Sequence, residues 1–319
     1  MTSCKVLQDL PLRAQFRLLT GFPFQDNRLT IIRRKIRKTL INIGLQNLYF
    51  ICISSNFTVI TISGESYMNN FISTYWKTIL FFAVVGLFGG FFVGIYQLDS
   101  FPAEIRQQVY DQGITRTMLG VVSAVQSAAL AVVLGALGIM LGKRTGLWKD
   151  ERSLAEKPLI ITLLISVAGG LVMILSDLFF FGNYSQAIMD SYSVKPTIPY
   201  LLAMVSYGAV IEEVMLRLFF MSLIAFVLYK IFGKNTDRPS TIILSSSNVI
   251  AALVFAAGHL PITYTLLGDS PIIIFRCFLL NGGLALLFGY LYRKFGFRYA
   301  MIAHGGCHVV SKLIWILFI

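Results

Sequence analysis

The sequence predicts an all-α fold: a polytopic transmembrane helix bundle of about seven spans, with an eighth left open. Three observations predict it. Of 319 residues, 56% are hydrophobic and 13% charged, with a mean hydropathy of +0.73, whereas a soluble domain is about a quarter charged. The apolar residues form long unbroken runs, unlike the short alternating segments of a transmembrane barrel. Finally, the Lys and Arg residues fall in alternate connections between those runs, as orientation in a bilayer requires.

A span needs about 20 apolar residues to cross ~30 Å of hydrocarbon. Six segments meet this plainly: 76–96, 117–142, 158–181, 242–260, 271–292 and 299–318. A seventh, 198–232, has 35 residues, which at ~1.5 Å per residue would reach ~52 Å. It must tilt, project or break. The connections alternate in basic content. Arg106 and Arg116 are set against three acids, then five cations fill 143–157, then Lys195 stands alone. Lys230, Lys234 and Arg238 come next, then none in 261–270, then Arg293, Lys294 and Arg298. With 198–232 as one crossing, the chain has seven spans, Lys77 starting inside and Ile319 ending outside.

Residues 1–67 fit this scheme poorly. They carry nine cations against three acids, clustered at Arg33, Arg34, Lys35, Arg37 and Lys38. If the moderately apolar stretch 40–62 spanned as an eighth helix, that basic arm would lie outside. A signal peptide matches badly, and an interfacial amphipathic arm is an alternative. The expectation is a native start at Met68, because Gly64-Glu65 can be encoded by a purine-rich run resembling a bacterial ribosome-binding site. The domains expected are then 1–67 as a basic extension, 68–197 as amino-terminal transmembrane helices and 198–319 as the catalytic transmembrane region.

A net charge of +12 would suggest nucleic acid for a soluble chain, but no basic stripe lies on a soluble module, so that partner is excluded. Cys4, Cys52, Cys277 and Cys307 show no metal or disulfide spacing. Gly86, Gly90 and Gly94 repeat every four residues and are read as a helix-packing face within the bundle in preference to a dimer seam.

Ionisable side chains at bilayer depth mark function. Glu212 and Glu213 stand together near the middle of 198–232, with Arg217 after them. At about 100° per residue, Glu213 and Arg217 share a helix face and can pair, while Glu212, about 140° from Arg217, is left without that partner. The chain has three histidines, His259, His304 and His308, all inside apolar segments. His304 and His308 share a face. Together with Glu212 they can surround one polar cavity. Asp177 and Asn281 are weaker candidates.

These three groups, in this order, resemble the CAAX protease and bacteriocin-processing (CPBP) family of intramembrane endopeptidases, which includes the type II CAAX prenyl endopeptidases. Glu212 to Arg217 is similar to the family's Glu-Glu-x-x-x-Arg, Phe255 to His259 to its Phe-x-x-x-His, and His304 to His308 to its His-x-x-x-Asn. Gly282-Gly283 and the run from Gly289 to Gly296 resemble its approach to the last motif. The likeness covers roughly 198–311.

The resemblance implies hydrolysis of a peptide bond of a membrane-associated peptide or protein. Glu212, aided by His259, would activate water; His304 and His308 would hold the oxyanion; Arg217 would fix Glu213. A second version places a zinc ion among His259, His304, a carboxylate and water. The sequence chooses neither, and has no His-Glu-x-x-His helix. His308 stands where the family has Asn or Asp, which leaves a divergent activity open. The rival readings are a non-catalytic immunity or scaffold protein and a proton-coupled transporter. The expected location is a cell membrane, with the bacterial plasma membrane favoured; the expected partners are the lipid bilayer and a peptide or membrane-protein substrate.

Overall fold

The computed structural model describes residues 58–150, 153–233 and 236–319, with side chains from Asn69 onward. By packing, the chain divides into Met1–Tyr67 and Met68–Ile319, and the second unit holds every motif residue singled out above. The basic arm and nearly all of 40–62, on which the eighth span depends, lie outside the described residues.

Ten helices run in chain order among the described residues: α1 Thr58–Ser100, α2 Ala103–Asp111, α3 Arg116–Thr145, α4 Glu156–Phe179 and α5 Gln186–Tyr192. Then come α6 Ile198–Phe232, α7 Thr241–Gly258, α8 Leu260–Leu267, α9 Pro271–Phe295 and α10 Phe297–Phe318. Seven stretches are long and apolar enough to cross a membrane, and they coincide with the seven expected segments. Their ends reflect local chemistry. Thr115 caps α3 by accepting from the Met118 N–H at 3.2 Å, and Gly146 closes that helix at φ 73°, a left-handed conformation suited to glycine. The Thr197 and Ser240 hydroxyls cap α6 and α7.

The molecule is inverted relative to a soluble protein. Val122, Val125, Leu163, Leu164 and Ile242 are exposed, whereas Ser127, Thr162, Ser166, Glu213, Arg217 and His304 are buried. Only an apolar solvent makes that arrangement favourable. This is a multi-pass membrane protein.

Small residues let the helices approach closely, as expected where lipid removes the hydrophobic drive between helices. Gly169 and Gly170 of α4 face Cys307 and Val310 of α10. The Gly86, Gly90 and Gly94 face of α1 lies on α3, within one bundle. A Cβ at Gly90 would sit 2.5 Å from the Ser127 hydroxyl and 2.6 Å from the Ser123 carbonyl. Gly90→Ala is therefore expected to destabilise the α1–α3 contact by about 1–3 kcal/mol, the usual cost of overpacking. Thermal unfolding of the variant in detergent checks this.

The long segment 198–232 neither breaks nor carries one uniform α-helix. It is continuous through Ile198–Phe232, but Met204–Glu212 and Val214–Met221 are wound as π-helix. The wider turns take up residues over a shorter axial distance, so a 35-residue segment needs less length than α-geometry implied. π windings are rare and concentrate at functional sites.

Candidate active site

Glu213 sits at the junction of the two π stretches of α6, with none of its surface exposed. Its Oε1 accepts the Nδ1–H of His304 on α10 at 2.8 Å and lies 3.1 Å from Nη1 of Arg217. Arg217 is equally buried. Its guanidinium is sandwiched between the rings of Phe255 and Phe288, at 4.7 and 5.5 Å. The aromatic faces supply part of the solvation that water would give a cation. Phe288 also stacks on His304, with ring centroids 4.8 Å apart. One carboxylate thus orients one imidazole and balances one guanidinium, much as a buried carboxylate fixes a catalytic histidine.

Glu212 is placed differently. Its side chain is 20% exposed, and its Oε2 lies 3.9 Å from Nε2 of His304. That gap is too long for a direct hydrogen bond and suits a bridging water. On the same edge, Nε2 of His308 lies 3.2 Å from Nε2 of His304. Gly208 of α6 faces this ring, and a Cβ there would stand in ordinary contact with it, 3.4 Å from His308 Nε2. Glu213 Oε2, Arg217 Nη2 and His308 Nδ1 are buried without a hydrogen-bond partner within the protein. Such atoms are few in folded proteins and concentrate where a protein binds or reacts.

His259 ends α7, and Leu260 and Pro261 open α8. Its Nδ1–H donates to the Phe255 carbonyl at 2.8 Å, satisfying a last-turn acceptor and leaving Nε2 as the ring's lone-pair nitrogen. The His259 ring packs edge-on against Phe255 at 4.5 Å, and Phe255 contacts His304 at 6.0 Å. Phe255 thus stands between the two imidazoles.

Glu212, Glu213, Arg217, His304 and His308 thus lie together, with His259 across the Phe255 ring. The zinc version finds less support in the arrangement. Among the described residues no three His, Cys, Asp or Glu side chains are grouped to hold a metal ion.

Asp177 belongs elsewhere. It pairs with Arg276 at 2.5 and 2.6 Å and accepts from the Tyr192 hydroxyl at 2.9 Å. Asn281 donates to the Cys277 carbonyl of its own helix. Arg276 and Lys312 were not singled out from the sequence, although a cation inside an apolar run is a legible signal. Lys312 continues the face of His304 and His308 and rests 5.1 and 5.0 Å from the rings of Tyr200 and Trp315. Phe288 was missed for a better reason, since nothing distinguishes one aromatic in an apolar run.

Residues 194–310, which hold every one of these motif residues, match the family model of the type II CAAX prenyl endopeptidase Rce1-like proteins. The likeness to this family is confined to that region. The match agrees with the resemblance carried by the three motifs. No match is found among curated proteins or among solved structures. Within the matched region, α6, α7, α9 and α10 supply the site, while α3 and α4, outside it, pack against these helices.

Proposed function

We propose that the protein is an endopeptidase that hydrolyses a peptide bond of a membrane-embedded peptide or protein with water activated by Glu212. The observation that carries this reading is the division of labour between adjacent carboxylates. Glu213 is fully buried and committed to His304 and Arg217, whereas Glu212 keeps a partly exposed carboxylate 3.9 Å from His304.

In the proposed reaction, Glu212 takes a proton from water as its oxygen attacks the scissile carbonyl carbon. The lone-pair Nε2 of His259 orients that water. The carbonyl oxygen gains negative charge, which the Nε2–H of His308, turned from His304 Nε2 toward the substrate, stabilises. Glu213 holds the His304 ring in place through the Nδ1 contact. The C–N bond then breaks, and protonated Glu212 passes its proton to the leaving amine, restoring the carboxylate. Burial excludes bulk water and strengthens each of these charge contacts. The name of the matched family points to prenylated substrates for its members; for this chain the proposed substrate class is the wider one, a peptide within the bilayer.

The test compares new peptide termini in membranes containing the wild-type chain with those containing Glu212→Gln. Termini present only with the wild type support the reading, and identical sets overturn it. The substituted position gives a finer prediction. His308→Asn keeps an N–H donor and is expected to retain at least about a tenth of the turnover. His308→Ala removes the donor and is expected to lose about 10²–10³-fold in kcat. Turnover of one cleaved peptide by both variants decides it.

A further inference from the structure

A cavity of about 760 Å³ lies away from Glu212 and His304, between the start of α1, the end of α3, the α3–α4 connection and the start of α10. Among the described residues, Lys77, Lys143, Lys149 and Arg298 line it, with Asp150 as the single carboxylate. Asp150 is committed to its own neighbours: its Oδ1 accepts from the Tyr75 hydroxyl and the Trp148 indole N–H, each at 2.7 Å, and its Oδ2 faces the Lys143 ammonium at 3.5 Å. Burial pushes this carboxyl up, but those hydrogen bonds and the Lys143 charge outweigh it and hold it below the usual carboxylate range. Asp150 therefore balances Lys143 and no more. Lys149 places one N–H on the Lys294 carbonyl at 2.5 Å, leaving two donors. Lys77 lies 5.6 Å over the Trp76 ring and has no carboxylate partner among the described residues.

The rest of the lining is apolar, with Phe81, Phe82, Leu154, Phe297, Met301 and Ile302. Phe81 and Leu154 are 48% and 40% exposed, so the floor is continuous with the lipid-facing surface. The cavity also sits on the side of the basic connections, where anionic headgroups attract Lys and Arg. A cationic rim above an apolar floor fits an amphiphile with an anionic head.

We propose that this cavity holds the headgroup of an anionic phospholipid, its phosphate between Lys77 and Lys149 and its acyl chains along Phe81 and Met301. A soluble phosphate shares the head chemistry but leaves the apolar floor uncovered. The cavity wall is tied to the helix that carries His304: Phe297 packs edge-on against Phe82 at 5.8 Å, and the Tyr299 hydroxyl accepts the Ala155 N–H at 2.8 Å. Occupancy thus stiffens the start of α10.

The experiment is thermal unfolding of the full chain in neutral detergent with three probes: a short-chain phosphatidylglycerol, the matching phosphatidylcholine, and inorganic phosphate. Phosphatidylglycerol is expected to raise Tm saturably, by about 3–6 °C at a hundredfold excess over its Kd. Phosphatidylcholine and phosphate are expected to give less than half that shift. The double variant Lys77→Gln/Lys149→Gln should lose more than half of it, while Lys157→Gln, outside the cavity, should keep it. An equal shift with phosphate overturns the lipid assignment, an equal shift with phosphatidylcholine overturns charge recognition, and an undiminished shift in the double variant overturns the site. Native mass spectrometry of the wild type provides a measurement independent of the variants, with phosphatidylglycerol expected to be retained over phosphatidylcholine.

Discussion

Glu212→Gln is expected to lower turnover by about 10²–10⁴-fold, the range that a positioned general base contributes, with Tm within about 2 °C of the wild type. The substitution conserves shape and removes the proton acceptor. Stability should survive because the Glu212 side chain is 20% exposed and stands 3.9 Å from His304, beyond direct hydrogen bonding. The neighbouring substitution behaves differently. Glu213→Gln weakens the contacts to both His304 and Arg217 in a place with no access to solvent, so activity and stability should fall together. Turnover and Tm measured on both purified variants separate the roles. Full turnover in Glu212→Gln removes it as the base.

The second large effect concerns Arg217. Arg217→Met leaves the Glu213 carboxylate buried and facing only His304, and is expected to cost about 3–5 kcal/mol of stability, as for other buried pairs broken from one side. The loss has two origins. The charge balance across 3.1 Å disappears, and so do the cation's contacts with Phe255 and Phe288. Combining Arg217→Met with Glu213→Gln removes both charges, so the double variant should be more stable than the sum of the single losses predicts, by about 1–3 kcal/mol. Unfolding of the four proteins under one detergent condition gives this coupling. Strict additivity would show that the two residues are not an interacting pair.

Much of the fold was legible because membrane burial writes itself into sequence. Seven apolar runs became seven candidate spans, and Lys195, alone in its connection, reaches the Trp315 and Ile316 carbonyls at the far end of α10. The pairing of Glu213 with Arg217 was legible too, because a separation of four residues on a helix is a local rule. The π winding of α6 was not. No proline or glycine pair announces it, and the wound stretches are the ones packed against α3 and α10. The Glu213–His304 bond joins residues 91 positions apart, and no local periodicity encodes a contact of that range. Arg276 and Lys312 carried a readable signal, a cation within an apolar run. What each one meets is a tertiary fact: Asp177 for the first, the rings of Tyr200 and Trp315 for the second.

By itself, the sequence determined the solvent, seven candidate spans and which ionisable side chains lie inside them, because hydropathy, charge placement and residue type are properties of single positions and short windows. Only the tertiary structure decided which of two adjacent carboxylates is locked and which keeps access, since that depends on the neighbours each meets across the bundle. Glu213 meets an imidazole and a guanidinium between two aromatic rings, and Glu212 meets the edge of the pocket.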